Sequence, residues 1–487
     1  MFDANTARIN GVERAAVPRL FLAAGLFCAV MIGYLAFFNA AVGIGFMTAV
    51  MLLTLIVVYP VVLVPAMVVL SVVIEKALTP LSITVGGREL LNFVGVVNLC
   101  LVGATMLYTA TGQMQPFRSL ITRPFAIYLA VVLASLLYSV EPMMTVKSFV
   151  RISAGFCVYL LITQFVTEKR QIDRIFHILV FASAIPITVG LYQIVFRNHF
   201  LLSRDLRIPG TFRNGMSYAM YLAIMLPYIF GQVAFSRGKP LKRGFFLAVF
   251  LAGLINLVYS ATRIGLGVFA LAMIVYAMLA NPRKLLPAIL VLLFLSVIVF
   301  FPYFAASFGG YLKTDLRTYM SNDVSWDMRS SDYITASSLH IRVFVWRQML
   351  RALVATNVLL GAGSGTWFEN IDLKTVGFRL ASHSDYMEVL FGTGLVGLSV
   401  YLLFRIKQLL LLVRFAKSGA EHAVRATVLY PCLATHVACL GMSITEVWQS
   451  YSGIYWLSWI ACGISESYYR WYCSPQDDAP PVEMQEK

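Results

Sequence analysis

Apolar runs about as long as a bilayer is thick recur along nearly the whole chain, and this limits the fold more than any other feature. A helix needs roughly 17 to 25 apolar residues to cross the hydrocarbon core. Runs of this kind fall near 20–38, 41–58, 60–74, 91–110, 124–140, 147–166, 175–195, 215–235, 244–260, 263–280, 285–304, 384–404, 423–443 and 453–470. Inside lipid the backbone has no water to pair with, so such runs must be helical. The expectation is an all-α polytopic membrane protein of 12–14 transmembrane helices; the second and third runs are divided only by Tyr59-Pro60. Hydrophobic residues make up 59% of the 487 and charged residues 13%, which excludes an ordinary soluble domain. Because more runs follow the first, 20–38 reads as an uncleaved helix rather than a secretory signal.

Orientation follows from the short loops. Every second one is basic: Arg8, Arg14 and Arg19; Arg118 and Arg123; Lys169, Arg170 and Arg174; Lys239, Lys242 and Arg243; Arg283 and Lys284; Arg405, Lys407, Arg414 and Lys417. The positive-inside rule then puts both ends in the cytoplasm and turns the long polar stretches 196–214 and 305–383 outward. The net charge of +15 is in good part this topology signal, so no nucleic-acid partner is expected. Tail residues 474–487 read as a disordered cytoplasmic end.

The outward loops break the rule, and they do so with arginine. Arg197, Arg204, Arg207 and Arg213 lie in one, Arg263 at the outer mouth of a run, and Arg317, Arg329, Arg342, Arg347, Arg351 and Arg379 in the other. A guanidinium grips phosphate oxygens through two parallel hydrogen bonds, which an ammonium cannot do, so this enrichment suits a phosphorylated ligand. Pairing with Asp315, Asp323, Asp327 and Asp332 is the plainer explanation for the large loop. The outward loops lack cysteine, no histidine has the spacing of a zinc site, and no nucleotide-binding glycine loop occurs, so neither a metal nor a cofactor is expected.

Three segments, in order, resemble one family. "RIPGTFRNGMSYAMYL", Arg207 to Leu222, resembles the R-x-x-G-T-F-x-N-P-N-x-x-A stretch of the O-antigen ligase and polymerase superfamily, which includes exopolysaccharide polymerases. Here Asn214 is kept, but Gly215-Met216 stand in place of Pro-Asn. "SATRIGLGVFAL", Ser260 to Leu271, is similar to its S-x-[ST]-R segment. Arg342 with Trp346, the Gly361-Ala362-Gly363-Ser364-Gly365 cluster, and "HSDYMEVLFGTGLVGL" from His383 resemble its R-x-x-x-W, G-x-G-x-G and H-[SN]-x-Y series.

The resemblance implies a membrane glycosyltransferase-like (GT-C-type) bundle with a large periplasmic loop, in the bacterial inner membrane with its active site facing the periplasm. It implies a metal-independent, inverting transfer of a glycan from undecaprenyl diphosphate to a hydroxyl of lipid A core or of another lipid-linked glycan, alongside membrane lipids and other polysaccharide-assembly proteins. Its regions would be 1–195, N-terminal helices; 196–404, catalytic, with the loop 305–383; 405–473, C-terminal helices; and the tail. Arg207, Arg263 and Arg342 are the expected diphosphate ligands. His383 is the expected base on the acceptor side, since an imidazole can take up a proton near neutrality. Asn214, Trp346, Gly363 and Tyr386 are supporting candidates.

Other readings stand beside these. Asp385 and Glu388 have the spacing of an N-cap and its capping-box partner, which makes Asp385 a helix starter. The glycine cluster fits a tight turn as well as a phosphate cradle. Residues 338–355 fit an interfacial helix lying as a lid over the donor's entry. A transporter of lipid-linked glycans is the alternative function, and it would need charged residues in mid-span on several helices.

Overall fold

The computed structural model describes residues 53–56, 58–73, 82–85, 88–196, 207–235, 239–260, 262–299, 338–366 and 382–473. The first run, most of the second, the tail, and Arg197, Arg204, Arg317, Arg329, Arg379 and the four loop aspartates lie outside the described residues.

The described chain is almost wholly helical. α1 (Pro60–Val73) leads to a small antiparallel hairpin, β1 (Ser82–Val85) and β2 (Arg88–Asn92). Then come α2 (Phe93–Ala110), α3 (Thr122–Ala134), α4 (Pro142–Phe165), α5 (Lys169–Ala182), α6 (Ala184–Phe196), α7 (Gly215–Phe235), α8 (Pro240–Tyr259), α9 (Arg263–Ala280), α10 (Pro282–Val299), α11 (Ser338–Thr356), α12 (Asp385–Ala416), α13 (Tyr430–Met442) and α14 (Ser452–Cys473). A π-helical turn over Arg425–Leu429 precedes α13. Among the described residues, 8 helices are long and apolar enough to cross a membrane, α5 and α6 counting as one. The chain is therefore an all-α multi-pass membrane protein with one short hairpin. α4, α8 and α10 open on proline, which gives up no hydrogen bond at a first-turn position.

Small residues set the closest helix approach. On α4, a Cβ at Gly155 would stand 2.3 Å from the Tyr455 ring and 2.6 Å from Trp459, so only glycine lets α14 pack this tightly. Phe125, Phe156, Phe404 and Trp459 join their rings around this seam.

The helix ends gather on two faces of the bundle. On one, the buried Glu466 accepts from the Leu120 N–H (3.1 Å) and from the Tyr159 hydroxyl and pairs with Arg470, joining the 118–120 turn to the ends of α4 and α14. On the other lie the starts of α4, α7, α9 and α12, together with α11.

Two expectations are corrected here. The run near 384–404 is the first part of a helical stretch that is broken at Gly394 and continues to Ala416. Hydropathy ends at the first charge while the helix continues, so Arg405, read as a loop residue, is buried in the bundle. The helix starter is also different. Ser384 is the N-cap, its hydroxyl accepting from the Met387 N–H at 3.3 Å, and Asp385 is already helical, its carboxylate buried against Ser443.

Candidate functional site

α12 is broken at its tenth residue, Gly394. Gly394 has φ +65°, a left-handed conformation that glycine adopts without strain, and the break leaves backbone groups that the helix cannot satisfy. The turn after α11 satisfies them. Ala362 and Gly363 N–H donate to the carbonyls of Phe391 and Gly392 at 2.9 and 2.8 Å, while Leu395 and Val396 N–H donate back to Val358 and Leu359 at 3.0 and 3.2 Å. The glycine cluster is thus a tight turn that plugs a helix break. Gly363, at φ +104°, lies against Ser139, and the Ser364 N–H donates to Ser135 Oγ at 3.1 Å, which docks the turn where α3 ends and α4 begins.

α11 lies over this plug. Val345, Met349 and Leu353 recur at helical spacing and pack on Ala362 and Phe391. Arg342 falls on the same stripe, three residues before Val345, and is buried with it. Trp346 Nε1 donates to the Ser382 carbonyl at 2.7 Å and so holds the strand that enters α12.

The next residue on that strand is His383, at φ +50°. A non-glycine residue there is uncommon, and backbone strain of this kind persists where its surroundings enforce it. Ser384 and Asp385 enforce it from one side. The Ser384 hydroxyl and the Asp385 N–H both donate to the Ser443 carbonyl, at 3.1 and 3.0 Å, and the Ser443 hydroxyl reaches Asp385 Oδ2 at 3.0 Å. Trp448 Nε1 donates to that same hydroxyl at 2.8 Å. Beyond α13 the chain turns into the bundle, and this delivers Glu446.

Glu446 is the residue that sequence reasoning missed. Its side chain is 3% exposed and stands between two expected site residues: Arg342 Nη2 is 3.6 Å from Oε2, and His383 Nδ1 is 3.3 Å from both oxygens. A carboxylate accepts only, so Nδ1 carries the hydrogen and Nε2 is left with a free lone pair. The His383 side chain is 32% exposed, enough for a reacting group to approach. The available signal was a lone acid in the short turn between two apolar runs.

The remaining expected residues form a second group on the same face. The Ile208 N–H donates to the Tyr259 carbonyl at 3.4 Å, and Gly215 admits the Arg207 Cβ and the Ser260 carbonyl side by side. Arg207 therefore stands beside the turn that leads into Arg263, the first residue of α9. Asn214 caps α7, its Oδ1 accepting from the Ser217 N–H at 2.8 Å. Tyr386 ties α12 to α13 by donating to the Leu440 carbonyl at 3.0 Å. α9 packs along α13, whose C-terminal end leads to Ser443 and Glu446.

A comparison with curated proteins finds no match. A family model described as O-antigen ligase matches residues 247–402, which include Arg263, Arg342, Trp346, Gly363, His383 and Tyr386 but not Arg207, Asn214 or Glu446. The match supports a glycosyl-transferring enzyme. Residues 247–402 thus match an O-antigen ligase family model, in agreement with the O-antigen ligase and polymerase superfamily that the chain's motifs resemble.

Proposed function

We propose that the protein moves a glycan from a polyprenyl diphosphate, of the undecaprenyl type, to an acceptor hydroxyl at the periplasmic face of the inner membrane. The observation that carries this is the Arg342, Glu446 and His383 cluster, where a cation, an anion and a strained histidine meet at the outer end of the bundle. A sugar C1 bonded to diphosphate already bears a good leaving group. Catalysis then needs stabilisation of the departing charge and an aimed hydroxyl.

In this reading Arg207 and Arg263 hold the diphosphate as the C1–O bond breaks. The acceptor oxygen bonds to C1 from the opposite face, which inverts C1, and its proton passes to His383 Nε2. Glu446 holds the imidazole in that tautomer, as the carboxylate of a catalytic triad does. Arg342, the third diphosphate candidate, turns its guanidinium toward Glu446 and so links the arginine side of the site to the histidine side. Fixed guanidinium charges supply what a divalent ion supplies elsewhere, and the reaction is metal-independent.

The transporter alternative draws little support from Arg405, a buried charge on α12. Its guanidinium packs among the rings of Tyr401, Phe404 and Trp448 rather than lining a path.

The test is transfer by the purified protein from an undecaprenyl-diphosphate-linked glycan, with glycan analysis of a deletion strain. Finished chains missing from lipid A indicate a ligase, and short repeats retained on the lipid carrier indicate a polymerase. Surface glycan lost with complete donor stranded on the cytoplasmic leaflet, and no transfer by the purified protein, would reject the enzyme reading.

A further inference from the structure

Cys432 and His436 lie one turn apart on α13, and Cys462 reaches them from α14. All three are buried, and their candidate ligand atoms lie within 4.8 Å of one another. His436 Nδ1 is 2.9 Å from the Cys432 carbonyl and Nε2 is 3.1 Å from Cys462 Sγ. A carbonyl only accepts, so Nδ1 carries the hydrogen and Nε2 presents its lone pair to Cys462 Sγ, while Cys432 Sγ stands 3.8 Å from Nδ1. A metal-binding histidine is held in this way, its second nitrogen tied to a backbone carbonyl. Two sulfurs and one imidazole make a soft donor set. The sequence reading expected no metal, because the third donor comes from another helix and spacing along the chain cannot show it.

The surroundings of the trio call for negative charge. Arg405 is buried, and among the described residues no carboxylate lies within ion-pair distance of it. Its Nη1 donates to Gln408 Oε1 at 2.8 Å, and Gln408 Nε2 donates in turn to Cys462 Sγ at 3.4 Å. Its Nε and Nη2 are buried with no hydrogen-bond partner. Beyond Gln408 the guanidinium is surrounded by aromatic rings, with the buried Asp385 within electrostatic reach but not ion-paired; a buried charge within a membrane is expensive, and such charges are normally paired. Three neutral side chains offer it no anion. Two thiolates around one monovalent cation carry a single net negative charge, which complements Arg405 through the Gln408 bridge. The buried Tyr228 hydroxyl lies beside Cys432 and Thr435 and within electrostatic reach of Cys462.

We propose that Cys432, His436 and Cys462 bind a soft monovalent d10 cation, Cu(I), which staples α13 to α14 in the middle of the bundle. Three donors suit this ion, whereas a structural Zn(II) site takes four and would leave the trio neutral beside Arg405. With its ligands buried the site has no position open to substrate. Its role is structural, and it makes no claim on the transfer chemistry.

The test is anaerobic titration of the purified full-length protein with Cu(I) against a competing Cu(I) chelator, with Zn(II) in a parallel arm. One equivalent of Cu(I) should bind, raise the midpoint of thermal unfolding, and show two sulfur scatterers and one nitrogen by X-ray absorption. Cys432→Ser and Cys462→Ser should each lower the affinity at least tenfold. Because either variant could misfold, the spectroscopy of the unsubstituted protein is decisive by itself. Failure to bind Cu(I), a shell without sulfur, tighter binding of Zn(II), or unchanged affinity in well-folded variants would each overturn the proposal.

Discussion

His383 and Glu446 lie 63 positions apart in the chain, yet the imidazole Nδ1 stands 3.3 Å from both carboxylate oxygens. The histidine belongs to the strand entering α12 and the glutamate to the turn leaving α13, and Ser443 bonds the two segments together. This pairing separates three roles that substitutions can test one at a time.

Glu446→Gln keeps the volume and loses the charge. A hydrogen bond to a charged group contributes about 1.5 to 3 kcal/mol, so turnover should fall on the order of 10- to 100-fold. Donor affinity should change little. Full turnover in a well-folded Glu446→Gln would show that Glu446 does not act through the histidine.

His383→Ala should lower turnover by about 10² to 10⁴, the usual contribution of a positioned base, while leaving donor binding near normal. Arg207→Lys and Arg263→Lys keep a charge but lose the two-pronged grip, so donor binding should weaken roughly tenfold or more. Binding of a fluorescent polyprenyl diphosphate and single-turnover rates separate the two outcomes. Equal loss of binding in all three variants contradicts the division of labour.

Gly394→Ala should destabilise the protein by about 1 to 3 kcal/mol, because the residue is held at positive φ. A Cβ there would also stand 2.2 Å from the Leu359 carbonyl oxygen, part of the plug itself. Thermal unfolding in detergent gives the measurement. Gly267→Ala, where a Cβ meets nothing within 4 Å, is the control.

Exposed Thr356, at the end of α11, and exposed Lys239, before α8, lie on opposite faces of the bundle. An impermeant thiol reagent applied to the periplasmic side should label Thr356→Cys and spare Lys239→Cys. The reverse result would move the whole candidate site to the cytoplasm.

Transfer should continue in EDTA, since the proposed reaction relies on arginine for charge. Strict recovery by magnesium or manganese would return the loop aspartates Asp315, Asp323, Asp327 and Asp332 to the argument.

What the sequence determined by itself was everything that depends on neighbours along the chain. Apolar runs specified helices because lipid offers the backbone no other partner, and the motifs around Arg207, Arg263, Arg342 and His383 marked one face. Short-range chemistry misled only where two solutions shared a spacing: Asp385 with Glu388 had the form of a capping box, but Ser384 took the cap and left Asp385 for Ser443. Tertiary structure alone decided what lies across helices. Glu446 has no spacing relative to His383 or Arg342, and Cys462 none relative to Cys432 and His436. Arg405, at the edge of a hydropathy window, was carried into the bundle because a helix ends where its backbone bonds and packing end, not at its first charge. The physical reason is common to all three. In a bundle, a buried charge takes its partners from whichever helices pack beside it, and that packing is set by side-chain shape along whole helices rather than by any local pattern.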